Sequence, residues 1–235
     1  VPDGLVSPFD ALNSLAELAA EELQRHITNI AKTNDNFKLN HGNDTKKIGK
    51  MFGVLVVKNN AGELGYLQGF SGKLGNSNHH AGFVPPIFDL LDENNYFNAG
   101  MRNITVLTNE INELKANPET IQSVLYEKIE FRKQTSQKLQ QKLFDEYVFL
   151  NQQLESKLLR EIFNDPEGKK MPAGAGECAA PKLFQYAFKH DLKPLALAEF
   201  WWGKSPKAHE KVHGEFYPPC TDKCVPILGY MLEGL

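Results

Sequence analysis

Cysteine is scarce in this 235-residue chain: there are three, and none lies before position 178. So low and odd a count excludes a disulfide framework as the source of stability and fits a reducing compartment, so the cytoplasm is the expected location. Net charge is nearly absent as well. Twenty-six Lys and Arg stand against 29 Asp and Glu, leaving −3, and no segment concentrates one sign. A chain-wide basic field able to hold a phosphate backbone is thereby excluded. No apolar run reaches the roughly 18 residues needed to span a bilayer; the best stretch, 10 to 31, is broken by Asn13, Glu17, Glu21, Glu22 and Arg25. Neither a membrane segment nor a secretory signal is expected. Internal repeats and low-complexity tracts are missing too. What is present, 41% hydrophobic residues, suffices for a core in one large domain or two small ones.

Periodicity divides the chain. Leu12, Leu15, Leu18, Ala19, Leu23 and Ile27 are spaced for one amphipathic helix from Pro8 to Lys32, with Asp10 in its first turn. Residues 33 to 47 are polar and read as a surface loop. Met51 to Lys58 and Leu64 to Phe70 are strands joined by Asn59-Asn60-Ala61-Gly62-Glu63, an antiparallel hairpin whose first strand is apolar on both faces. A long loop, Ser71 to Pro86, follows; loops of that length often carry function. A helix from Arg102 to Ala116 ends at Asn117-Pro118. Residues 119 to 164 then contain no Gly or Pro and space their leucines three or four apart, interrupted at Arg132 and Ser136. That stretch is either an arm for a partner or a second copy, or an antiparallel helical hairpin packed on itself.

The chemistry lies in the last third. Gly174-Ala175-Gly176-Glu177-Cys178 leads into a helix reaching His190, Pro194 to Trp202 is a buried strand, and Pro219-Cys220-Thr221-Asp222-Lys223-Cys224 opens a further helix. A helix N-terminus favours thiolate, the form that ligates metal. Cys178, Cys220 and Cys224 are therefore candidate zinc ligands; the bland alternative is three small buried residues without a ligand. His79 with His80, and His209 with His213, form a weaker candidate cluster.

The order of helix with cysteine, strand, then Pro-Cys-x-x-x-Cys opening another helix resembles the zinc-dependent cytidine deaminase superfamily, and the upstream helix and hairpin extend the likeness. That family places an acid/base Glu two residues after the first ligand, where this chain has Ala180; Glu177 is the nearest candidate acid/base group. The fold expected is α+β, with an α/β/α-like layering: a deaminase-like sheet with flanking helices and a long inserted helical arm. Residues 1-100 and 166-235 would form the core and 101-165 the arm.

A more specific likeness rests on Gly49-Lys50-Met51-Phe52-Gly53-Val54-Leu55-Val56-Val57, Gly65-Tyr66-Leu67 with Phe70-Ser71-Gly72, Phe83-Val84-Pro85-Pro86, Gly174 to Leu183, and Ala198-Glu199-Phe200-Trp201-Trp202-Gly203. These strings resemble, from about 49 to 235, the N-terminal extension of long bacterial pseudouridine synthases of the RluA type. The resemblance implies a parent enzyme that isomerises uridine in ribosomal RNA without a required cofactor, through an Asp in an Arg-Leu-Asp string of a separate C-terminal domain. No Arg here precedes Leu-Asp, so no catalytic residue is assigned. The expected function is accessory: positioning RNA or a partner, with Trp201, Trp202, Lys204, Lys207, Lys211 and the loop from Ser71 to Gly82 as candidate contacts. Core packing for at least one Trp, and solvation for the lysines, are the ordinary alternatives. A zinc hydrolase acting on a nucleobase, and a dimerisation module built on 119-164, are the competing functions.

Overall fold

A computed structural model describes residues 2, 4–39, 48–165, 171–206 and 210–234. The fold is α+β: a small antiparallel sheet lies between helices on its two faces. At its centre is β1 (Lys50–Lys58), paired on one side with β2 (Leu64–Phe70) and on the other with β5 (Lys193–Trp202). The β1–β2 turn is built by Asn59, whose side-chain oxygen accepts the N–H groups of Ala61 and Glu63 at 3.0 and 2.9 Å. Gly62 adopts φ +84° there, a left-handed conformation that favours glycine.

Alternation along β1 feeds two cores. Phe52, Val54 and Val56 face α1 (Ser14–Ile30), whereas Leu55 and Val57 face α5 (Ala179–Lys189) and α6 (Cys224–Met231). The α1 stripe is Ala16, Ala19, Ala20, Leu23 and Ile27; Leu12 and Leu18 are exposed. The helix begins at Ser14 and not at Pro8, because Asn13 caps it by accepting Leu15 N–H at 2.9 Å. Ser7 and Pro8 belong to a turn before it, closed by Asp10 N–H to the Ser7 carbonyl at 3.3 Å.

On the other face, α5 approaches the sheet at a glycine pair. Gly53 and Gly69 stand opposite each other in β1 and β2. A Cβ on Gly53 would lie 3.1 Å from Leu183 Cδ1, and one on Gly69 would lie 3.2 Å from Leu183 Cγ. The two missing side chains let Leu183 seat against the strands and bring the start of α5 close to β5.

The helical arm is α2 (Tyr96–Ala116) packed against α3 (Gln122–Asp145). Their antiparallel register follows from Glu110–Lys128, Thr108–Arg132 and Tyr96 Oη to the Lys142 carbonyl. Arg132 causes no break: its Nε donates to Thr108 Oγ1 at 3.0 Å. Helix does not continue to 164. After Asp145 the chain forms a short hairpin, β3 (Val148–Leu150) and β4 (Ser156–Leu158), and one turn, α4 (Leu159–Ile162). Asn151 makes the hairpin turn, accepting Glu155 N–H at 2.9 Å, and Leu154 takes φ +62°. Phe149 and Leu159 are fully buried with α5 and α6. The arm therefore spans 96 to 145, and 147 to 159 return to the core.

The outer edge of β5 is lined by two short segments. Val6 N–H donates to the Leu195 carbonyl, and residues 214–217 run alongside Glu199 to Trp201, with Tyr217 N–H to the Glu199 carbonyl at 2.9 Å. That return segment delivers Cys220 beside Cys178. Among the described residues no helix is long and apolar enough to cross a membrane.

Candidate metal centre

Three elements converge on the cysteines. Cys178 is the N-cap of α5, Cys224 opens α6, and Cys220 precedes α6 by one turn, its carbonyl accepting Cys224 N–H at 3.1 Å. The three Sγ atoms all lie within 4.8 Å of one another, and those of Cys220 and Cys224 are 3.4 Å apart. A tetrahedral ion with metal–sulfur bonds of about 2.3 Å requires sulfurs about 3.8 Å apart, so small adjustments seat one ion among all three. Cys224 is buried, Cys178 half-buried and Cys220 exposed, which sets the centre at the protein surface. The thiols are not in the protonation pattern that a helix N-terminus alone would set. Hydrogen bonding to Cys220 pushes Cys178 up to about 12, and hydrogen bonding to Cys178 and Cys220 pushes Cys224 up as well. Hydrogen bonds from Cys178 and Cys224 hold Cys220 far below the ordinary thiol range, making it the first thiolate.

The surroundings fit a cation held by thiolates. Lys182 lies one turn after Cys178 on α5 with only 1% of its surface exposed, and its Nζ has no hydrogen-bond partner. It lies 4.8 Å from the centroid of the Phe70 ring. Burial lowers its pKa to about 8, while Glu177 and Cys178 act to raise it. Three thiolates around a divalent ion leave one net negative charge, the counter-charge this ammonium lacks among hydrogen-bonding groups. Zinc suits the donor set, since soft thiolates at tetrahedral spacing select it over harder cations.

Glu199 is the second buried titratable side chain. It projects from β5 on the α5 side, next to Gly53, and is 5% exposed. Its Oε1 accepts Ala180 N–H at 3.1 Å. Burial raises its pKa to about 8 against the lowering effect of that hydrogen bond. Its charge acts on Cys178 and Cys224, and that of Cys220 acts on it.

Glu177 is placed otherwise. Its carboxylate accepts from the Tyr147 hydroxyl, while its own carbonyl accepts Gly72 N–H at 2.9 Å. Burial, then Glu177 itself, drives the Tyr147 pKa upward. Glu177 thus belongs to a Tyr147–Gly72 contact that ties the arm's return segment to the loop after β2.

The candidate RNA contacts separate. Trp201 is buried, with its Nε1 unpartnered, and Gly49 leaves it room: a Cβ there would lie 2.6 Å from that nitrogen. Trp202 is half-exposed against Phe200 and His213. Lys204 is exposed, and Lys211 Nζ sits 3.5 Å from the centroid of the Tyr217 ring. Lys207 lies outside the described residues, as does His209. The remaining histidines do not gather: His79 pairs with Asp89 at 3.0 Å, His80 packs on Phe37 and Phe70, and His213 Nδ1 accepts Gly203 N–H at 2.9 Å.

Sequence reasoning singled out the cysteines but passed over Glu199, Lys182 and Tyr147 as site residues. A signal existed for the first two. Each is the lone charge inside an otherwise apolar element core, Pro194–Trp202 and Ala179–Phe188. Tyr147 carried none, because its position read as part of a helical leucine stripe. Searches against family models, curated proteins and solved structures found no match.

Proposed function

We propose that this chain is a thiolate-held zinc domain that accompanies an RNA pseudouridine synthase, positioning RNA or a partner while a separate domain isomerises uridine in ribosomal RNA. The observation that carries the reading is convergence. The strings that resemble the RluA-type extension are dispersed between 49 and 203, yet they supply β1, β2, β5 and the start of α5, and three of them meet at Gly53, Leu183 and Glu199 around the cysteines. The surface offered to RNA is Trp202 with Lys204 and Lys211; Trp201 serves the core. An aromatic face next to lysines suits an unpaired base and its phosphate. The test is the reading frame: continuation past residue 235 into a domain with Arg-Leu-Asp supports the assignment, and a stop codon there contradicts it.

A second reading, a zinc-dependent hydrolase acting on a nucleobase, is favoured by one feature. Among the described residues the three cysteines leave one tetrahedral position without a protein donor, the mark of zinc sites that act on a bound molecule. Purified protein that deaminates neither free nucleosides nor single-stranded RNA, while holding stoichiometric zinc, would remove it.

A further inference from the structure

Among the described residues the coordinating group stops at three thiols; no imidazole or carboxylate joins them. Those residues leave one position of a tetrahedral ion open. Glu199 is the buried carboxyl coupled to this centre. Its carboxyl is docked on the first turn of the helix that Cys178 caps, it acts electrostatically on Cys178 and Cys224, and Cys220 acts on it. Ala180 N–H is its one hydrogen-bond partner among the described residues, at Oε1; Oε2 has none and is not fully enclosed by protein, so it is open to a further partner. The β1 position opposite is Gly53, where a Cβ would lie 3.3 Å from Glu199 Cγ; the sheet is therefore shaped to admit this side chain. A cavity of about 280 Å³ borders Glu199 and Pro219, the residue before Cys220, and is walled further by Phe9, Phe216 and Tyr217.

We propose that the centre is a ligand-taking site, in which Glu199 Oε2 hydrogen-bonds a small oxygen- or nitrogen-donor molecule bound at the fourth position of the metal. The inference rests on the metal assignment above and adds to it a direction and a recognising residue. Glu199 acts on the incoming molecule and is not itself a ligand.

The experiment uses cobalt(II) in place of zinc, with azide as the probe. Cobalt reports its thiolates by charge-transfer bands and its fourth ligand by the visible bands. The expected result is one cobalt per chain and a saturable change of the visible bands with azide. Glu199→Leu is expected to keep the charge-transfer bands and weaken azide binding by about tenfold or more, the loss of one hydrogen bond to a charged group. Glu199→Gln, which still donates, should stay within about threefold of the parent. Glu199→Met replaces the leucine variant if the latter does not melt like the parent. Failure of the parent chain to bind cobalt overturns the metal assignment and this inference with it. Cobalt binding without an azide response, azide affinity unchanged or tighter in Glu199→Leu, or azide-free visible bands altered in Glu199→Gln would each overturn this inference alone.

Discussion

Replacing Glu199 by Gln in the metal-free protein should flatten part of its stability profile against pH. The carboxyl is almost wholly buried, and burial lifts its pKa from 4.5 to about 8. Between those values the unfolded chain has released the proton while the folded chain retains it. Stability is therefore full below about pH 4.5 and falls as pH rises towards 8, where the folded state must either keep a proton against the solvent or bury a charge. At about 1.36 kcal/mol per pH unit the interval amounts to roughly 5 kcal/mol, an upper bound because buried sites relax. Glutamine keeps the shape and the acceptor for Ala180 N–H but does not titrate. Urea unfolding of both proteins from pH 4 to 9, with a chelator and a reductant present, isolates the effect as the difference between two profiles. The variant should gain several kcal/mol relative to the parent across this window. Parallel profiles, or a difference confined to pH above 9, would refute the claim that burial holds Glu199 protonated beside the thiols.

Other expectations follow from the same packing. Gly53→Ala places a methyl against Leu183 and Glu199 and should cost about 1–3 kcal/mol in urea unfolding, whereas Gly65→Ala, with nothing within 4 Å of its Cβ, should stay within about 0.5 kcal/mol. Cys224→Ser should lower the melting temperature even in chelator, since Cys224 is buried; Cys220→Ser should lower it only relative to loaded protein, by removing the roughly 2.7 kcal/mol that metal at about 100-fold its Kd supplies. Trp201→Ala should cost about 3–5 kcal/mol of stability. Lys204→Glu should leave stability unchanged and weaken RNA binding with a salt slope smaller by about 1; an unchanged slope removes Lys204 from the RNA surface. Ile121, Val124, Tyr126 and Phe131 are exposed on the arm, and if they join two copies, Phe131→Asp should abolish a dimer seen by sedimentation; a monomeric parent at tens of micromolar denies the arm that role.

Much of the fold was legible because the signals were local. The hairpin of β1 and β2 carried two clear apolar runs around a turn of Asn59, Asn60 and Gly62, and its limits were read to within a residue. β5 was legible as an apolar run between Pro194 and Trp202. The stretch after Asp145 was not, because Leu150, Leu154 and Leu158 are spaced four apart and mimic a helix; what turns the chain is Asn151 hydrogen-bonding Glu155, a side-chain device that periodicity does not register. The metal centre was half legible. Cysteine spacing pointed to the ligands, but the acid was sought beside Cys178 in sequence, at Glu177. The carboxyl near the sulfurs comes from the neighbouring strand, brought there by the glycine pair that lets α5 settle on the sheet. Such placement depends on pairing between β1 and β5, whose partners lie 135 to 152 residues apart in the chain, and no local pattern encodes it.

Metal content of untagged protein, purified under reductant and measured by elemental analysis, tests the central claim most directly. One zinc per chain, reduced to a small fraction by either Cys178→Ser or Cys220→Ser in protein that remains folded, is the predicted result. Folded parent protein that takes up no zinc, or zinc that persists when those cysteines are replaced, would contradict it.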